Sequence, residues 1–150
     1  MKKSVLFITE HYYPHIGGVE FLFQSLAETM EKNQQKVAIV TLREKGLSKF
    51  EIYNGVKIYR TWVPQFASRY FFTFLALFTI LRVGSEYELF QTTTYNAAFP
   101  AWLGGRILNK KVIITIHEVW QSLWFRLPSM NFFLRLGSKW YEKIILTFPY

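Results

Sequence analysis

Cysteine and aspartate are both missing from this 150-residue chain, and each absence removes a class of chemistry. Without cysteine there are no disulfides and no thiolate metal sites. Without aspartate, all ten acids are glutamates. An Asp-x-Asp grip on a metal-bound nucleotide, which relies on clustered carboxylates, cannot be built. Long hydrophobic runs are missing too. The most apolar stretch, 67–83, is uncharged only from Tyr70 to Leu81, whereas a membrane-spanning helix needs ~20 apolar residues. That stretch therefore reads as a buried or interfacial helix. Lys2-Lys3 before Val5-Leu6-Phe7-Ile8 resembles a signal peptide only briefly, because the run ends in Thr9-Glu10. It is too short for secretion, so a cytoplasmic location is expected. Repeats and low-complexity linkers are also absent.

What is present suits one domain with a real core: the chain is 51% hydrophobic and carries a net charge of +8. The positive balance points to anionic partners, such as phosphates or acidic lipid headgroups. The cations (Arg43, Arg60, Arg69, Arg82, Arg106, Lys110 and others) are scattered. No recognition helix or base-stacking motif accompanies them, so nucleic acid is not an expected partner.

Short apolar runs alternate with helical periodicity along the chain. Strands are expected over Val5–Ile8, 36–41, 88–92 and 111–116, and Asn54-Gly55 marks a hairpin between Phe50–Tyr53 and 56–62. Helices are expected from Val19 through Met30, over 67–83, over 97–108 capped by Asn96 and closed by Asn109, and after a Ser129 cap. The pattern argues an α/β fold, a Rossmann-like parallel sheet with helices on both faces plus a β-hairpin. Ligands of such sheets bind beyond the carboxyl ends of the strands. Three polar clusters fall there: 10–18, 92–96 and His117-Glu118.

The first cluster is the most informative. Gly17-Gly18 sits where a strand hands over to a helix. Unpaired amides and the helix dipole favour an anion at such a point, and glycine lets the backbone come close. A tight turn that packs the helix is the plainer alternative. A dinucleotide fingerprint does not fit, since a third glycine is missing near Phe21 and Thr41-Leu42 stands where a ribose-binding acid would be. Glu20 suits a first-turn acid facing the helix dipole. His11 and His15 are four apart, but Pro14 argues against the helix that would align them. No third ligand is evident in sequence, so no metal is expected. His117 can be read as a satisfied strand-end histidine, and Glu118 as a cap. The aromatics Trp120, Trp124, Phe125, Phe132 and Phe133, with Arg126 and Arg135 among them, suit a packed core for the most part or else a membrane interface; 71–78 could contribute to either.

Strand, Tyr13-Pro14-x-x-Gly17-Gly18-Val19-Glu20, helix, and a later strand ending Thr115-Ile116-His117-Glu118 together resemble glycosyltransferase family 4. The likeness spans essentially the whole chain, with Pro14, Gly17, Gly18, Glu20, Pro100, Thr115 and His117 in the expected order. Members are metal-independent, retaining GT-B enzymes that transfer a sugar from a nucleotide diphosphate sugar. The resemblance implies the N-terminal, acceptor-side half of a GT-B fold, over 1–150. Gly17 and Gly18 would then supply backbone contacts to the donor diphosphate. His117 would be the catalytic residue, hydrogen-bonding the donor sugar or stabilising charge as the glycosidic bond breaks. Acceptor-side candidates are Glu20, His15, Thr93 and Glu118. Preorganised amides can do part of a metal's work on a leaving diphosphate, in keeping with the missing aspartates, so no cofactor or metal is expected. The expected partners are a nucleotide-sugar donor and a glycan or lipid-linked acceptor, with a membrane surface, at its inner face, as a further candidate.

Two departures stand out. The strand that often ends in histidine in this family ends here in Gln91-Thr92-Thr93-Thr94. The chain also stops near Phe148-Pro149-Tyr150, where the family begins another strand and a donor-binding second domain. A truncated domain, inactive alone, is expected. The alternatives are the acceptor subunit of a split enzyme, completed by a donor-domain partner chain, or a non-catalytic membrane-surface or adaptor domain.

Overall fold

Continuous apolar runs form the centre of the sheet, as parallel strands buried on both faces require. The computed structural model describes residues 4–128 and 130–150; Lys2, Lys3 and the Ser129 cap lie outside them. In chain order the elements are β1 Val5–Ile8, α1 Gly18–Lys32, β2 Val37–Leu42, β3 Phe50–Tyr53, β4 Val56–Thr61, α2 Ser68–Val83, β5 Leu89–Thr93, α3 Ala98–Leu108, β6 Lys111–Thr115 and α4 Phe132–Leu146. The strand order is β3-β4-β2-β1-β5-β6. Every pairing is parallel except the β3–β4 hairpin. Its turn is made by Asn54 (φ 48°) and Gly55 (φ 82°), the two positive values of a type I′ turn.

Alternation along the strands splits the core in two. Val5, Phe7, Val37 and Ile39 face α1, which lays Phe23 and Ala27 on them. Leu6, Ile8, Ala38 and Val40 face α2 and α3, which contribute Phe72, Ala76, Ile80 and Ala101. Helices thus cover both faces, as expected. No helix among the described residues is long and apolar enough to cross a membrane.

Three local expectations change. Asn96 does not cap α3; it lies in a single 3₁₀ turn, Tyr95–Ala97, and its side chain reaches Glu10 instead. α3 starts from Ala97 with no side-chain cap. The described cap of α4 is Asn131, whose side chain accepts from the Leu134 amide at 2.9 Å. The aromatics are not mainly core either. Phe132 and Phe133 are exposed, the latter at 81%, and Phe74 and Phe78 stand on the outer side of α2 while Phe72 is buried. Apolar residues around a whole helix hid which side faces the sheet.

Candidate functional site

Between β1 and β5 the strand order reverses, and the crevice beyond their carboxyl ends is the natural ligand site of this topology. Glu10, just past β1, and Asn96, just past β5, meet across it: Asn96 Nδ2 donates to Glu10 Oε2 at 2.7 Å. The same carboxylate contacts His11 Nε2 and Arg69 Nε, each at 3.3 Å. Thr73 Oγ1 on α2 donates to Asn96 Oδ1 at 3.2 Å, fixing the amide. Burial raises the Glu10 carboxyl, but His11, Asn96 and Arg69 outweigh it and hold the group below the usual carboxylate range. Glu10 in turn raises His11 above its ordinary value against the effect of burial, with Glu44 adding to the rise.

A cavity of about 480 Å³ opens on this pair, within the size range of small-ligand sites. Tyr70 and Phe74 of α2, Trp120 and Trp124 of the segment after β6, and Phe133 and Tyr141 of α4 form much of its wall. Burial, opposed by Thr73 and reinforced by Glu10, pushes the Tyr141 hydroxyl up to about 12. It is a neutral donor at pH 7, and it bonds the Tyr95 carbonyl at 3.1 Å.

The wall is held by a carboxylate that sequence reasoning missed. Glu142, only 3% exposed, accepts from the Trp120 and Gln121 amides at 2.7 Å, one on each oxygen. The Tyr95 hydroxyl also donates to it at 3.3 Å. Tyr95 sits at φ 69°, a left-handed conformation that bulky residues rarely adopt. Its ring stands edge-on to Trp124 at 5.6 Å. Such strain persists only where the surroundings over-determine it, and it clusters at ligand sites.

The residues singled out by sequence fall into three groups. Of the seven, Glu118 alone lines the cavity, and its carbonyl accepts from the Tyr95 hydroxyl at 3.4 Å. Thr93 is buried at the end of β5 nearby. Gly17, Gly18 and Glu20 form the start of α1, where Gly17 O accepts from Phe21 N at 2.9 Å and the preceding amides have no carbonyl one turn back. The Glu20 carboxylate folds over Gly17, where an added Cβ would collide with it. At Gly18 a Cβ would meet open space. His117 is exposed, and its ring lies 6.4 Å from that of Phe23 on α1, which places it beside the same helix. His15 joins neither group. It stacks on His11 at 4.3 Å, and Glu44, from the loop after β2, lies 3.0 Å from His11 Nδ1 and 3.3 Å from His15 Nδ1. Glu44 is the third group that chain spacing could not reveal.

Thus the three polar clusters expected beyond the strand ends do converge, through Glu10–Asn96 and Tyr95–Glu118. Arg69 and Glu142 carried no signal beyond their residue type, and Tyr95 fell within the expected 92–96 cluster without being singled out.

The fold is shared with solved glycosyltransferases. The chain is similar to sucrose-phosphate synthase from Thermosynechococcus elongatus, with a TM-score of 0.66 and 18% identity over 96% of this chain and 40% of that one. It is also similar to the catalytic domain of starch synthase IV from Arabidopsis thaliana bound to ADP and acarbose, with a TM-score of 0.63 and 14% identity over 79% of this chain and 34% of the other. The chain therefore spans well under half the length of these structures. A search of curated protein sequences finds no match. The family model for Glycosyltransferase Family 4 matches residues 16–148, from the glycine loop to the end of α4. The chain belongs to Glycosyltransferase Family 4.

Proposed function

We propose that this chain supplies the acceptor side, and part of the diphosphate site, of a metal-independent sugar transfer from a nucleotide diphosphate sugar. The observation that carries the reading is the Glu10–Asn96 contact at the β1/β5 reversal, with a walled cavity on it and the start of α1, which no side chain caps, at the same end of the sheet. The cavity offers an acceptor apolar walls and a fixed anion. The amides at Gly17-Gly18 would supply donors to a departing diphosphate in place of the Glu20 carboxylate that lies over Gly17 here, and His117, exposed beside α1, would meet charge developing on the donor sugar. Gly17 and Gly18 line neither of the described cavities, and on this reading a donor-binding domain completes the site around them and the chain does not turn over without one.

The acceptor is glycan or lipid-linked, and the surface favours lipid. Phe74 and Phe133, exposed at the cavity wall, run into Phe78, Phe132 and Trp140 outside it, with Arg135, Lys139 and Lys143 on the same helix. Aromatic rings beside cations suit a headgroup-level contact. The competing reading, a membrane-surface or adaptor domain without catalysis, rests on this patch alone and leaves the Glu10 arrangement without a use.

Trp120 and Trp124 line the cavity, so their fluorescence reports its occupancy. Titration with a lipid-linked saccharide in detergent should change the emission of the chain alone, and Glu10→Gln should weaken that response. A response to detergent alone, unchanged by Glu10→Gln, would support the adaptor reading.

A further inference from the structure

The His11–His15–Glu44 cluster is used by none of the steps above. It stands at the same end of the sheet, outside the cavity lining. One donor atom from each of the three side chains lies within 4.8 Å of the others. The two imidazoles stack at 4.3 Å and 21°, with both Nδ1 atoms turned to the same Glu44 oxygen at 3.0 and 3.3 Å. Those separations match the edge of a tetrahedron around zinc, roughly 3.3 Å for bonds of about 2.0–2.1 Å. The backbone that carries the group is tied down. The Glu10 carbonyl accepts from the Leu42 amide at 3.1 Å and from Thr41 Oγ1 at 3.0 Å, Thr9 Oγ1 donates to the His11 carbonyl at 3.1 Å, and the His15 amide closes a turn on the Tyr12 carbonyl at 2.9 Å.

His11 is also supported from behind. Its Nε2 faces the Glu10 carboxylate at 3.3 Å, and Asn96 and Arg69 hold that carboxylate in turn. A histidine whose second nitrogen meets a carboxylate is the usual arrangement behind a metal-binding imidazole, fixing its tautomer and raising its basicity.

We propose that His11, His15 and Glu44 bind a divalent cation of intermediate softness, Zn²⁺ foremost, with Glu10 as the positioning residue behind His11. Two imidazoles and one carboxylate favour Zn²⁺, Ni²⁺ or Cu²⁺ over Mg²⁺ and Ca²⁺, which prefer all-oxygen shells. His15 is exposed, so the fourth position opens to solvent. Sugar transfer takes no step through this ion. Because Glu10 both supports His11 and lines the cavity, the ion tethers the loop after β1 at the cavity's edge.

The test uses the untagged chain and a chromophoric chelator competing for Zn²⁺, with Co²⁺ absorption as a second readout. The expected result is one Zn²⁺ per chain, a visible Co²⁺ spectrum of a four-coordinate site, and no comparable uptake of Mg²⁺. His15→Ala, at an exposed position that leaves the fold intact, and Glu44→Gln should each lower Zn²⁺ affinity at least tenfold and abolish the Co²⁺ spectrum. Glu10→Gln should lower affinity by about 10-fold while leaving one site per chain. His117→Ala should leave Zn²⁺ affinity and stoichiometry unchanged. No stoichiometric uptake, or uptake that survives His15→Ala and Glu44→Gln, overturns the proposal.

Discussion

The two sides of the proposed site are built differently. At the start of α1, Gly18 and the neighbouring His117 are exposed, no side chain caps the helix, and Gly17 lies half-buried under the Glu20 carboxylate. At the cavity, Glu10, Asn96, Tyr95 and Glu142 are buried or half-buried and tied to one another by hydrogen bonds. On the proposed reading, a donor-binding domain completes the α1 side. The difference teaches that stability and chemistry are separable here. The cavity should be sensitive to mutation in the isolated chain, and the glycine side only in a completed enzyme.

The largest expected effect is at Glu142. Glu142→Ala removes three charge-assisted hydrogen bonds and leaves the Trp120 and Gln121 amides and the Tyr95 hydroxyl without this acceptor, which costs about 3 kcal/mol in urea unfolding. Glu142→Gln can satisfy only one of the two amides and should fall between. Asn96→Ala comes next. It strips a donor from the part-buried Glu10 carboxylate and should cost roughly 1–3 kcal/mol by the same measurement. At the glycine side the sign reverses. Gly18→Ala faces open space at the first residue of α1, so it should hold or raise stability by less than about 1 kcal/mol. His117→Ala, exposed, should stay within ~0.5 kcal/mol of the parent. Equal losses on both sides would break the comparison.

The same contrast governs what the sequence made legible. Strands, the Asn54-Gly55 hairpin and the left-handed stop at Asn109 (φ 53°) are written in neighbouring residues, and all were readable. While the roles proposed for Gly17, Gly18 and His117 rest on the family resemblance, the place of the glycine loop at the start of α1 was readable from local chemistry. The cavity's polar frame was not. Asn96 reaches Glu10 across 86 positions, and Glu142 caps amides 21 and 22 positions back. No period or spacing in one sequence encodes those pairings. Asn96 in particular has the residue type of a helix cap, and only the approach of β1 to β5 gives its side chain a stronger partner. The outward aromatics of α2 were ambiguous for a related reason: apolar residues on every side leave no stripe to indicate which side is buried.

The most direct measurement is transfer of radiolabelled sugar from a nucleotide diphosphate sugar to a lipid-linked acceptor, in EDTA, with the chain alone and with the chain joined to a Family 4 donor-binding domain. The account predicts no transfer by the chain alone, transfer by the joined protein, and a loss of about 100-fold with His117→Ala at unchanged stability. Turnover by the chain alone, or full activity of the joined His117→Ala protein, would contradict it.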